Sequence, residues 1–346
     1  MELTVQIVKK LRDFTLRADF SLHDEVMAVL GASGSGKSMT LKCIAGIETP
    51  DEGRIVLNGR TLFDSTQGIN VRIQDRRVGY LFQDYALFPN MSVAENIAFV
   101  TPGGAAEKAQ KVQEHLHRFK LADVKAAYPR ELSGGQQQRA ALARLLAAEP
   151  ELVLLDEPLS ALDTYLRWQL EQVLRETLAG RSAILVTHDR GEAYRLAGKI
   201  AVLAQGQLQQ PRCRENLFQN PDTLAAALLT GCKNVSAAQK IDSQKIMALD
   251  WQLPLTVQSP VPDKIKYVGI RAHYMELGQA GQANTFTMEV VQVVEDVFSY
   301  LVMLRVPHTT GVALRWELPK PVWEKMGRPS LVEVYFPPNK LMIMEE

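Results

Sequence analysis

Surplus charge of either sign is missing: 39 Lys plus Arg balance 39 Asp plus Glu over 346 residues. That balance excludes an overall basic field able to hold nucleic acid or an anionic membrane surface, leaving only local patches. Cysteine is scarce too. Cys43, Cys213 and Cys232 are odd in number and far apart, which fits neither a disulfide framework nor a zinc site. They are expected as reduced packing residues in a cytoplasmic chain. No apolar run approaches the ~20 residues that span a bilayer. The opening MELTVQIVKKLRDF alternates apolar and polar residues instead of forming the apolar block of a signal peptide. A role at a membrane would need other chains to supply the span.

What is present is enough apolar sequence, 46%, for two cores. The first 25 residues alternate with period 2, and EGRIVLNGRTLF reads as two strands joined at the favoured hairpin turn Asn58-Gly59. The runs VMAVLG (26 to 31), VGYLFQ (78 to 83), ELVLLDEP (151 to 158) and SAILVTHD (182 to 189) are short and continuously apolar, as strands buried on both faces must be. Helical stretches between them give an α/β fold with a largely parallel sheet. Residues 92 to 128 read as a small helical subdomain. Near residue 230 the character changes, and Pro254, Pro260 and Pro262 punctuate short β-type runs in a second, all-β domain, residues 231 to 346.

The chemistry concentrates at a few points. GASGSGKS, residues 31 to 38, has the phosphate-loop spacing between a strand and a helix. Gly31, Gly34 and Gly36 let backbone N–H groups approach a triphosphate, Lys37 answers the β- and γ-phosphate charge, and the Ser38 hydroxyl suits Mg²⁺. Ala32, Ser33, Ser35 and Met39 complete the segment around the nucleotide. LVLLDEP sets Asp156 and Glu157 at the C-terminal end of a buried strand, the ligand-binding edge of an open α/β sheet. Asp156 holds Mg²⁺ through water in this reading, and Glu157 orients or deprotonates the attacking water. His188 ends another strand on that edge, where it can report the γ-phosphate. Gln83 closes VGYLFQ, and its amide can contact Mg²⁺ or the water.

Ser133 to Gln136, SGGQ, makes a capping box, with Ser at the N-cap and Gln three positions on. Capping explains Ser133 and Gln136 but not Gly134 and Gly135, since glycine costs stability in a first helical turn. They make sense where an anion must approach the backbone. The phosphate loop already has its own site, so this helix start should serve the nucleotide of another subunit.

In their order and spacing these motifs, with SALD at 160 to 163, resemble the ATP-binding-cassette (ABC) ATPases over about residues 1 to 230. The resemblance implies a P-loop ATPase domain with an antiparallel β subdomain and a helical subdomain at about 92 to 130. It also implies a head-to-tail homodimer that sandwiches two ATP molecules, with Ser133 to Gln136 on the partner's nucleotide and Asp163 communicating across the interface. An aromatic residue early in the chain would stack on adenine, and Phe14 is the candidate.

Residues 57 to 97 resemble the ATPase subunits of bacterial importers for molybdate and the related sulfate and tungstate systems. That resemblance implies an OB-like, TOBE-type all-β C-terminal domain, which either dimerises or binds an oxyanion, with Ser299 near a candidate turn. It further implies a peripheral place on the cytoplasmic face of the membrane, two permease partners, an external solute-binding protein, no nucleic acid, and molybdate as the expected cargo.

Overall fold

The computed structural model describes residues 1 to 346 except Gln83, Ala161, Ala280 and Glu346. The expected metal and water contact Gln83 therefore lies outside the described residues. The chain divides into two compact units, Met1–Arg214 and Glu215–Glu346, so the compositional change near residue 230 falls inside the second.

Twelve strands form the sheet of the first unit: β1 (Glu2–Lys10), β2 (Thr15–His23), β3 (Val26–Gly31), β4 (Glu52–Leu57), β5 (Arg60–Asp64), β6 (Ile69–Asn70), β7 (Val78–Leu81), β8 (Leu152–Asp156), β9 (Ala183–Thr187), β10 (Lys199–Ala204), β11 (Gln207–Leu208) and β12 (Arg212–Cys213). The order is β6-β5-β4-β1-β2-β11-β10-β3-β9-β8-β7, with β12 beside β10. From β10 to β7 neighbouring strands are parallel, whereas β4, β1 and β2 pair antiparallel.

The sequence explains the division. Every residue of β8 and β9 is buried, as a strand covered on both faces requires, while β2 alternates buried and exposed. Asn58 (φ 50°) and Gly59 (φ 74°) are both left-handed between β4 and β5, the conformation a two-residue hairpin turn needs.

Among the described residues six α-helices accompany the sheet: α1 (Lys37–Ala45), α2 (Val93–Val100), α3 (Ala105–Arg118), α4 (Gly134–Ala147), α5 (Thr164–Leu178) and α6 (Arg190–Leu196). The helices α2, α3 and α4 pack on one another as the helical subdomain. Ser92 and Glu95 cap α2 reciprocally, which fixes where it starts. At the C-terminal end of α1 the buried Arg76 guanidinium donates to Cys43 O at 3.1 Å and Ile44 O at 2.8 Å, adding to the Gly46 N–H that also reaches Cys43 O at 3.2 Å. Cys43 and Cys232 are buried as expected. Cys213 is exposed, because β12 is two residues long at a sheet margin, and so it is not the packing residue anticipated.

The second unit holds two five-stranded antiparallel sheets. Trp251, Trp316, Trp323 and Phe336 are buried in its core, and the Trp316 indole N–H donates to Met275 O at 2.8 Å. Short helices, Leu224–Leu229 and Lys320–Lys325, accompany the strands. Among the described residues no helix is long and apolar enough to cross a membrane.

Candidate active site

The phosphate loop runs from the end of β3 into α1. A Cβ on Gly31 would stand 2.6 Å from the Leu203 carbonyl oxygen of neighbouring β10 and 2.8 Å from Ser35 Oγ, so only glycine fits. Gly34 (φ 77°) and Gly36 (φ 106°) take backbone conformations that a side chain would strain. Ala32, Ser33 and Gly34 are exposed, and the buried Ser35 hydroxyl has no hydrogen-bond partner. The loop therefore presents bare backbone and an unsatisfied hydroxyl at a helix N-terminus, where the macrodipole favours an anion.

Lys37 is buried, and its Nζ donates to Gly31 O at 2.9 Å and Ala32 O at 2.8 Å. Burial pulls its ammonium below the usual lysine range, while the Glu157 and Asp156 carboxylates oppose that shift. Met39 packs against the apolar core of the unit.

Asp156 ends β8 and is 4% exposed. Its Oδ1 accepts from Ser38 Oγ at 2.9 Å, and its Oδ2 accepts from the Tyr80 hydroxyl at 2.9 Å. Both expected metal-facing residues within the described chain thus meet. Tyr80 is a site residue that the motifs do not reveal. Its signal is positional: on β7 it lies opposite Leu154 of β8, two residues before Asp156. Burial, with Asp156 beside it, raises the phenol far above the usual tyrosine range, so it serves as a donor.

Glu157 follows with φ 49°, a left-handed conformation uncommon for a residue with a side chain, of the kind that concentrates at working sites. Its amide donates to Val186 O at 2.9 Å, which ties the turn to β9. His188 Nδ1 lies 3.1 Å from Glu157 Oε1, a hydrogen bond in which the ring nitrogen carries the proton when the carboxylate is ionised. Glu157, Ser160, Arg167, Thr187, His188, Asp189 and Glu192 line one small cleft.

Phe14 lies beside the start of α1, since a Cβ on Gly36, its N-cap, would meet Phe14 Cε2 at 3.4 Å. Ser133 and Gln136 form the expected capping box of α4: Gln136 N donates to Ser133 Oγ at 3.3 Å and Ser133 N to Gln136 Oε1 at 2.8 Å. The two glycines differ. A Cβ on Gly135 would stand 3.1 Å from Leu162 Cδ2, a close approach that the leucine side chain would have to yield to. Gly134 faces open space, and among the described residues nothing lies within 4 Å of a Cβ placed there. Asp163 caps α5 by accepting from Leu166 N at 2.9 Å.

A glycine cradle at a helix start, a buried lysine across it and a serine–aspartate pair on the strand edge define a nucleotide-hydrolysing P-loop protein. The ABC transporter family pattern matches residues 17–160. An Fe(3+) ions import ATP-binding protein of Pectobacterium atrosepticum is 46% identical over 246 residues, 69% of this chain and 70% of that protein. A sulfate/thiosulfate import ATP-binding protein of Brucella melitensis is 37% identical over 262 residues, 73% of this chain and 71% of that protein. Among solved structures, a dimeric ATP-binding cassette in a post-hydrolysis state bound to ADP and Pi is similar with TM-score 0.53 and 27% identity, over 62% of this chain and 99% of that one. The chain belongs to the ABC transporter family, as an ATP-binding subunit whose ATP hydrolysis is coupled to transport. The relatives named here carry ferric iron and sulfate in their names, not molybdate.

Proposed function

We propose that the protein is the ATP-hydrolysing subunit of a bacterial importer. It works as a homodimer on the cytoplasmic face of the membrane beneath two permease subunits, which an external binding protein supplies. The observation that carries this reading is the meeting of Ser38, Asp156, Glu157 and His188 on one edge of the sheet, beside Lys37. The second unit is proposed as the OB-like, TOBE-type domain of such subunits.

In the hydrolytic step the phosphate-loop amides and Lys37 hold the triphosphate, with Lys37 exchanging its carbonyl contacts for phosphate oxygens. Glu157 accepts a proton from water at a carboxylate oxygen as the water oxygen attacks the γ-phosphorus. The bond to the β–γ bridging oxygen breaks, giving ADP and phosphate. His188, bonded to Glu157 through Nδ1, fixes that carboxylate.

Ser38 and Asp156 offer oxygen donors that suit Mg²⁺. When bound there, Mg²⁺ supplies charge neutralisation to the phosphate oxygens. The Ser133 to Gln136 helix start, with the open Gly134, serves the nucleotide of the second subunit, and Phe14 stacks on adenine.

Ferric iron is the proposed cargo, supported by the 46% identity to an iron-import relative; the 37% identity to a sulfate-import relative supports an oxyanion as the second reading. Uptake of labelled iron, sulfate and molybdate by cells lacking this chain, complemented with the natural or Lys37→Ala protein, tests both. Iron uptake that returns only with the natural chain supports the first reading. Restoration confined to sulfate or molybdate selects the oxyanion, and no change in any of the three rejects both cargo readings.

A further inference from the structure

His188 is exposed, and among the described residues its side chain has one polar partner, Glu157, so its placement has to come from the backbone that carries it. That backbone is held on both flanks. On one side, Thr187 is 1% exposed and its Oγ1 donates to Glu192 Oε2 at 2.7 Å. The same hydroxyl accepts from Asp189 N at 3.0 Å. On the other side, Asp189 Oδ1 accepts from Glu192 N at 3.0 Å and from Gly191 N at 2.7 Å.

Glu192 itself is 4% exposed, and its Oε1 has no hydrogen-bond partner. A buried carboxylate with one oxygen unsatisfied is costly, and neither capping of α6 nor packing requires one. The helix that bears Glu192 is locked in turn, because Arg195 grips Glu171 of α5 through Nε at 2.5 Å and Nη2 at 2.7 Å. Thr187 also pairs with Leu30, the residue before the phosphate loop begins.

We propose that Glu192 is a positioning residue for ATP hydrolysis: through the Thr187 hydroxyl and the Asp189 turn it fixes the backbone that holds His188 against Glu157. This rests on the reading of His188 and Glu157 given above. The Glu192 side chain bonds the Thr187 hydroxyl and its amide bonds Asp189, the two residues that flank His188, so its effect passes through the placement of His188.

The test is a double-mutant cycle on the full chain, measuring steady-state ATP hydrolysis and nucleotide binding for Thr187→Val, Thr187→Ser and Glu192→Ala, each in the natural and the His188→Ala backgrounds. Thr187→Val and Glu192→Ala are expected to lower kcat on the order of 10–100-fold with KM for ATP unchanged. Thr187→Ser, which keeps the hydroxyl, restores most of it. In the His188→Ala background none of the three causes a further loss. Equal losses in both backgrounds, or full turnover by Thr187→Val, overturn the proposal while leaving the active-site reading intact. Full turnover by His188→Ala alone overturns that reading and the proposal together. Unchanged nucleotide binding in Thr187→Val separates misplacement of His188 from failure to fold.

Discussion

Replacing Glu192 by Gln should flatten the pH dependence of stability. Burial pushes the Glu192 carboxyl up to about 7 from an ordinary value near 4.5, the Thr187 hydrogen bond works against that shift, and the Asp189 and Glu171 carboxylates add to it, with Arg167 opposing. The folded chain therefore keeps a proton that the unfolded chain has already released. The stability this group contributes is complete below about pH 4.5 and is lost as pH rises through about 7. Between about pH 5 and pH 8 the loss amounts to roughly 2–3 kcal/mol.

Glutamine has nearly the same shape and does not titrate. Urea unfolding followed by circular dichroism, at several pH values for both proteins, reads the difference. The natural chain should lose stability relative to Glu192→Gln by that amount over the interval. Parallel curves would show that the carboxyl is ionised throughout and that the burial argument is wrong.

Gly31→Ala should cost roughly 1–3 kcal/mol and weaken ATP binding, because the new Cβ would stand 2.6 Å from a backbone oxygen that cannot turn aside; thermal unfolding and nucleotide titration check both, and an unshifted melting temperature would contradict the geometry. Ser133→Arg should abolish turnover while the chain still binds ATP through its own phosphate loop. Persisting hydrolysis in that variant would refute the assignment of Ser133 to a partner's nucleotide.

Much of the first unit could be read from the chain, since parallel strands buried on both faces leave continuous apolar runs. Val26–Gly31, Leu152–Asp156 and Ala183–Thr187 are such runs, and each ends at a residue of the site. The turn at Asn58-Gly59 was equally plain from its residue types. The strand β10 carries a comparable run, IAVLA, with no motif at its end to mark it, although its Leu203 carbonyl is what makes Gly31 obligatory.

Interactions across strands were harder to see. Tyr80 reaches Asp156 only because β7 and β8 pair in parallel with Tyr80 opposite Leu154, a register that no local pattern encodes. Glu192 looks like an ordinary acid near a helix start. Its burial and its bond to Thr187 depend on α6 folding back over the end of β9. The two glycines of SGGQ looked alike in sequence, and only the position of Leu162 separates them.

The central claim is that Glu157 activates water for ATP hydrolysis at this strand edge. Glu157→Gln keeps the shape of the side chain and removes its capacity to take a proton, so a single comparison of ATP binding and phosphate release in the two proteins is decisive. The account predicts binding close to the natural protein's with phosphate release reduced at least on the order of 100-fold. Natural rates of release from the Glu157→Gln protein would contradict it.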